Sequence, residues 1–397
     1  MTMETLDLAS AALDHSFLEA IDPLAKLRTC IQCGTCSATC PTAYAMDYSP
    51  RQVWRMVNLG LRDEVLNSRT YWLCTTCKSC QVRCPRGIDI MDSMIALKEY
   101  SVDQATNVPE GMIPFGETIA GDHNISGDDN KNRQIWSQNL DRIPRGVKPR
   151  RRKAEVLYFI GCVSSFYPRV YSIPQAFVQV MAQADVEFTT LGGDEWCCGY
   201  PLHIAGMGDG MAKLAQHNVR QARKVGAKKV VFTCPSCYYA WAHLYPEYAD
   251  VSGIQLLHAT EFLAEMLAGD GLALGPVEEI VTYHDPCDLG RKSEVYDAPR
   301  EVLARIPGLD FREMSAIREN AVCCGGGGDV EISDNTVTAG VAGQRVAQAQ
   351  ATGARYVLSA CQQCKRTLQE GARQNKIRMR AMDVVELVWQ SMQAAES

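Results

Sequence analysis

The strongest constraint on this chain is a four-cysteine motif that occurs twice. Cys30, Cys33, Cys36 and Cys40 are separated by two, two and three residues and followed by Pro41. Cys74, Cys77, Cys80 and Cys84 repeat that spacing ahead of Pro85. A cubane [4Fe–4S] cluster needs four thiolates converging from different directions. Each short loop supplies three, and its fourth cysteine sits too far along the chain to join them easily. The proline that follows removes a backbone donor and turns the chain away. Zinc held by four cysteines shares the sulfur ligation, but two full copies of this spacing point to clusters and to electron transfer.

Where a chain holds two such clusters, the fourth cysteine of each run ligates the other cluster. The expected sets are therefore Cys30, Cys33, Cys36 and Cys84 for one cluster, and Cys74, Cys77, Cys80 and Cys40 for the second. Between the runs, Ser49 and Pro50 read as a helix cap and first position. Val53, Met56, Val57 and Leu59 to Leu61 give that helix an apolar stripe, which spaces the two runs and covers a cluster.

The eight cysteines of these runs belong to a total of 18 in 397 residues, a length that suits two or three domains with real cores. Grouping of the cysteines in short motifs, with no signal-peptide pattern and no apolar window long enough to span a bilayer, indicates metal binding in a reducing, cytoplasmic compartment. Membrane association through a partner subunit stays open. A formal charge of -6 gives no reason to expect nucleic acid as a partner. The basic stretch Arg142 to Lys153 reads as a solvated linker.

The other ten cysteines lie in the second half of the chain. Short apolar strands run into them: residues 156–160 before Cys162, 230–232 before Cys234, 280–283 before Cys287 and 356–358 before Cys361. Helical stretches alternate with these strands, as at Met207 to Val225 and Asn335 to Gln350. Such alternation favours α/β domains with parallel sheets, whose ligands gather at one sheet edge. Cys162, Cys197 and Cys234 recur as Cys287, Cys323 and Cys361 at offsets of 125, 126 and 127 residues, so the halves form an internal repeat of two facing domains.

Each half contributes five thiols, one more than a cubane needs. They are Cys162, Cys197, Cys198, Cys234 and Cys237, then Cys287, Cys323, Cys324, Cys361 and Cys364. Adjacent cysteines are poor terminal ligands for neighbouring irons of a relaxed cubane; one can bridge irons, or both can hold an opened cluster. Gly199 and the run Gly325 to Gly328 permit close backbone approach and positive φ, and their N–H groups suit hydrogen bonds to sulfur. A phosphate loop is the competing explanation of the glycine run, but the Lys–Ser/Thr that completes such a loop is missing.

Both cubane motifs, Cys197-Cys198-Gly199, Cys323-Cys324-Gly325 and the trailing cysteine pairs together resemble the heterodisulfide reductase family. The form resembled is one in which a ferredoxin-like subunit is fused ahead of a catalytic subunit with two cysteine-rich CCG domains. The resemblance implies a multidomain α+β and α/β chain. A helical ferredoxin-like domain with two [4Fe–4S] clusters would fill residues 1–105, and residues 106–153, rich in Gly, Asn, Asp, Pro and Arg, read as an irregular connector with little core of its own. Two pseudo-symmetric α/β CCG domains would then follow at 154–270 and 271–397. It also implies four iron–sulfur clusters, two cubane and two noncubane, with one noncubane [4Fe–4S] cluster on each five-cysteine set. In the family these cleave a disulfide between two cofactor thiols, each cluster taking one half.

Function is thus expected to be disulfide-type redox chemistry, with Cys198 and Cys324 at the reacting centre and electrons fed singly from a partner. The alternative is a noncatalytic electron relay in a larger assembly, such as an electron-bifurcating or aromatic acyl-CoA reductase complex. No strand–GxGxxG–helix unit is present, so a flavin or nicotinamide activity belongs to another subunit. Expected partners are a flavoprotein or membrane cytochrome in a hetero-oligomer, and a small disulfide-like molecule or a sulfur-carrier protein as substrate. His203 and His284 lie near cysteine motifs as candidate proton suppliers, cluster tuners, iron ligands or simple structural groups. Asp285 and Asp288 read as turn residues around Pro286, and Arg291 and Lys292 as an anion-attracting or solvated turn. Aromatic residues beside the cysteines (Trp72, Trp196, Tyr200, Tyr238, Tyr239) read as shielding.

Overall fold

The computed structural model describes residues 13–22, 26–147, 153–269 and 271–396. Residues 148–152 of the basic stretch and the first twelve residues of the chain, on which the leader expectation rests, lie outside that set.

The N-terminal part is helical. Its core gathers Phe17, Ile21, Leu27, Val53, Trp54, Val57, Tyr71, Trp72 and Leu97 between the two cysteine runs. The expected spacer helix spans Pro50–Asn58, with Val53, Trp54, Met56 and Val57 buried. At its start the Ser49 N–H donates to Gln52 Oε1 at 2.9 Å, satisfying a donor that no helical turn can reach.

Two four-stranded parallel sheets follow. The first comprises β1 (Val156–Phe159), β2 (Phe188–Thr189), β3 (Lys229–Phe232) and β4 (Gln255–His258), in the order β2-β1-β3-β4. The second repeats it with β5 (Ile280–His284), β6 (Asp310–Phe311), β7 (Tyr356–Ser359) and β8 (Arg380–Asp383), in the order β6-β5-β7-β8. Every residue of β1 is buried, as expected for a strand covered on both faces of a parallel sheet.

Phe159 lies opposite Phe232, and His284 opposite Ser359. The two inner strands of each sheet therefore end level, and Cys162, Cys234, Cys287 and Cys361 leave at the same edge. Strand order reverses between these inner strands, which opens a crevice at their carboxyl ends. The halves face one another through a continuous apolar core that includes Phe177, Phe262 and Leu263 of the first and Val281, Leu358 and Val388 of the second.

Two expectations need correction. The helix expected over 207–225 begins at Met211, because Gly208–Gly210 forms a tighter turn first. The segment 106–153 is not an irregular connector with little core. It carries a helix, Met112–Asp122, and a 3₁₀ segment, Asn130–Asn139, that buries Arg133 and Trp136. Its polar residues satisfy its own turns: Asn124 Oδ1 accepts from the Ser126 and Gly127 N–H groups at 2.8 and 2.9 Å. A loop-like composition thus encloses a few large buried side chains, and the segment packs on the first α/β half. No helix among the described residues is long and apolar enough to cross a membrane.

Candidate metal centre

All ten cysteines of the two halves line a single cavity of about 390 Å³. The strand ends bring Cys162 and Cys234 to one wall, Cys287 and Cys361 to the other. The glycine turns add the paired cysteines: the Gly199 N–H points at Cys197 Sγ (3.4 Å), the Gly325 N–H at Cys323 Sγ (3.3 Å) and the Gly326 N–H at Cys324 Sγ (3.5 Å). Gly199 and Gly325 have φ of 81° and 89°, a region that side-chain-bearing residues avoid. The glycines after each cysteine pair therefore turn the chain so that its amides meet sulfur.

Electrostatics repeat across the halves as well. Hydrogen bonds from Cys197 and then Cys237 bring the Cys198 thiol down to about 6. Those from Cys323 and Cys364 hold Cys324 well below the ordinary thiol range. An arginine touches the first cysteine of each set: Arg133 Nη2 donates to Cys162 Sγ at 3.1 Å, and Arg291 Nη2 to Cys287 Sγ at 3.0 Å. Arg133 is anchored by Glu195 at 3.0 Å, with both side chains 1% exposed. Glu195 also accepts from the N–H groups of Ile160 and Gly161, both at 2.9 Å, which fixes the turn from β1 into Cys162. Arg133 stands in the segment expected as a connector, and only the place of Glu195 two residues before Cys197 marks either residue in the sequence.

His284 has a defined tautomer. Arg345 Nε can only donate, and it lies 3.0 Å from His284 Nδ1, so neutral His284 carries its proton on Nε2. The ligating atoms of His284, Cys324 and Cys364 lie within 4.8 Å of one another. In the first half Phe159 occupies the equivalent place, so this feature breaks the symmetry. His203 does not line the cavity: it lies behind Tyr200, at 6.5 Å between ring centres, and burial lowers it to about 4.

Arg291 and Lys292 are buried and paired, not a solvated turn. Arg291 Nε donates to the Cys77 carbonyl at 2.6 Å. Lys292 binds Tyr200 OH and, at 2.8 Å, Asp288, while Ser236 donates to Asp288 at 2.6 Å. Tyr200 and Ser236 come from the first half and Asp288 and Lys292 from the second, so the group clasps the two walls. Asp285 binds Arg300 at 2.8 Å.

In the N-terminal part, Cys30, Cys33, Cys36 and Cys84 line one small pocket, and Cys33 is exposed. Burial raises Cys40 to about 12, with the nearby charges of Cys74 and Cys77 adding to it. Cys80 feels Cys74, Cys77 and Cys40 in the same way. Cys77 lies near enough to Cys287 and Cys323 for them to hold its thiol well below the ordinary range, and its carbonyl accepts from Arg291, which joins this second group to the large cavity. None of the 18 cysteines is paired in a disulfide. Convergent thiols, amides aimed at sulfur and flanking guanidinium groups make a donor set that fits iron–sulfur cofactors.

Comparison with known proteins agrees with this chemistry. The cysteine-rich domain family (CCG) matches residues 156–241 and 281–369, and the 4Fe-4S dicluster domain family matches residues 26–88. One subunit of the dihydromethanophenazine:CoB–CoM heterodisulfide reductase of Methanosarcina mazei is 34% identical over 96% of this chain and 97% of its own length. The probable iron-sulfur-binding oxidoreductase FadF of Bacillus subtilis is 30% identical over 89% of this chain and 50% of its own. A crystal structure of a hypothetical protein from Helicobacter pylori shares the fold, with a TM-score of 0.55 at 9% identity over 88% of this chain and 69% of that one. The chain belongs to the heterodisulfide reductase family, among its oxidoreductase-type members in which an iron–sulfur ferredoxin-like domain is fused to two CCG domains.

Proposed function

We propose that this protein accepts electrons singly from a partner at its N-terminal domain and uses them to cleave a disulfide-like substrate between its two CCG halves. The carrying observation is the single cavity lined by all ten cysteines of both halves. A relay protein needs each five-cysteine set to be reachable by electrons, but it has no need for both sets to share one cavity.

In this reading the domains divide at 1–105, 106–153, 154–270 and 271–397. Cys30, Cys33, Cys36 and Cys84 hold one cubane [4Fe–4S] group, and Cys74, Cys77, Cys80 and Cys40 the other. Cys162, Cys197, Cys198, Cys234 and Cys237 hold a noncubane group, as do Cys287, Cys323, Cys324, Cys361 and Cys364. When bound, these groups supply one-electron steps and affinity for sulfur. The chain's own residues do the rest. Arg133 and Arg291 offset thiolate charge in a buried site where unpaired charge is costly. The Tyr200–Lys292–Asp288–Ser236 clasp keeps the walls at a fixed separation. His284 Nε2–H faces Cys324, with Arg345 holding its tautomer, while His203 stands behind the wall as a supporting group.

The set with the exposed Cys33 would hold the group nearest a partner, and the Cys77 set, beside Cys287 and Cys323, would hold the one nearest the second half; both would supply one-electron transfer. A flavoprotein or membrane cytochrome is the partner class suited to one-electron delivery. The substrate is a small disulfide or the sulfur of a carrier protein. Anaerobic EPR of the loaded, oxidised protein tests this reading. A paramagnetic signal that appears with a thiol or disulfide, and is lost in Cys198→Ala or Cys324→Ala, is the expected result. Fully loaded protein without any substrate-dependent signal returns the chain to the relay class.

A further inference from the structure

Asp329 occupies an unusual position. It follows the glycine run and precedes the short helix Val330–Ser333, where an aspartate ordinarily turns its carboxylate onto the first free N–H groups. Here it makes no such cap. Its backbone is left-handed, at φ 54°, a conformation aspartate tolerates better than most residues. That conformation follows Gly328, itself at φ 69°, and the residue lines the ten-cysteine cavity. Asp329 Oδ2 is buried without a hydrogen-bond partner, and a buried, unsatisfied polar atom in a native fold calls for a functional explanation.

We propose that Asp329 delivers a proton to a departing thiolate as the disulfide-like substrate is cleaved, an assignment that rests on the function proposed above. The S–S bond breaks as two electrons arrive from the one-electron protein donor, leaving two thiolates. One takes the proton of the Asp329 carboxyl, so that an S–H bond forms and Asp329 becomes a carboxylate. That carboxylate recovers a proton from solvent at the cavity mouth, where the Glu331 side chain is 42% exposed. The second thiolate is protonated from the same solvent.

Burial pushes the Asp329 carboxyl up to about 7, opposed by the positive charge of Lys98 and aided by Glu331. Among the described residues, those two are the charged groups that shift it. Lys98, on the packed helix Ile90–Asp103, is committed to the carbonyls of Ile204 (3.1 Å) and Gly328 (2.8 Å). Glu331 is paired with Arg366. Lys98 thus acts on the carboxyl through space and leaves Oδ2 free to carry a proton. None of the ten cysteines hydrogen-bonds to Asp329, which sits five residues beyond Cys324.

The test compares full-length, cluster-loaded wild type, Asp329→Asn and Asp329→Glu. A chemically reduced viologen serves as electron donor and a panel of small dialkyl disulfides as substrate. Infrared spectra follow the carbonyl stretch of the protonated carboxylic acid. The expected wild-type band disappears as pH rises through about 7, and is missing from Asp329→Asn at unchanged iron and sulfide content. Asp329→Asn should lower kcat by about 10²-fold with KM held, the usual scale for losing a general acid. It should also remove the fall in rate on the alkaline side, since the acid works only while protonated. Asp329→Glu should restore part of both. A loaded Asp329→Asn protein with wild-type kcat and pH profile overturns the assignment alone. A wild type that reduces no disulfide overturns the proposed function and this assignment with it.

Discussion

Glu195 shows how much of the site depends on single residues outside the cysteine motifs. Its carboxylate holds Arg133 and receives two amides of the turn into Cys162, and both charged side chains are 1% exposed. Removing one member of a buried pair strands the other, at a cost of about 3–5 kcal/mol. Glu195→Ala should lose stability on that scale in chemical denaturation of the loaded protein, and should release iron from the first half before the second. The pair Arg133→Met with Glu195→Leu should recover part of the stability, because two apolar side chains leave no buried charge. If Glu195→Ala denatures at the same midpoint as wild type, the pair is not what fixes this turn. Arg291 performs the same task for Cys287 from within its own half. The repeat therefore conserves a charge beside sulfur and recruits that charge from different parts of the chain.

At the scale of elements, the cysteines and the strands ahead of them were legible in the sequence, because spacing and short β-rich runs are local signals. β1, β3, β5 and β7 lie where those runs stand, within a residue or two. The helix Asn335–Gln350 matches its expected limits. What sequence could not show were contacts made at long range: Arg133 reaching Cys162, Arg291 bonding to the Cys77 carbonyl, and Lys98 joining Ile204 and Gly328. The glycine run is the clearest case. Read alone it allowed a phosphate loop, but in the fold it is where the N-terminal domain docks. A Cβ on Gly328 would lie 2.0 Å from the Cys74 carbonyl oxygen, and one on Gly327 2.6 Å from that of Thr75. Gly328→Ala must therefore displace backbone, and it adds left-handed strain of about 1–3 kcal/mol. Limited proteolysis should cut this variant between the N-terminal domain and the α/β halves sooner than wild type. Electron passage to the cavity should slow by more than the loss of stability explains. Unchanged cleavage and unchanged transfer would show that the close approach is dispensable.

At the scale of the whole molecule, the three cysteine groups run from surface to interior. The Cys30–Cys33–Cys36–Cys84 pocket opens at the surface, beside Ile31, which is 62% exposed; Val82, 44% exposed, lies between Cys80 and Cys84. The Cys77 group is internal and touches the second half. The ten-cysteine cavity lies beyond it, between the sheets. An exposed isoleucine in the loop of a redox group is well placed for a partner that must come close without staying bound, since a small apolar patch gives contact with modest affinity. A charge placed there should repel an apolar partner surface and leave the interior untouched. Ile31→Asp should therefore lower the second-order rate of reduction by the protein partner about tenfold or more, the scale expected when an interface anchor is lost. A small reductant such as reduced viologen, which needs no docking surface, should still drive the variant at the wild-type rate with the same EPR spectrum. Equal slowing by both donors would mean that Ile31 shapes the redox group itself. Wild-type rates with both would move the docking face away from this loop and leave the exposed Cys33 without its proposed role as the point where electrons come in.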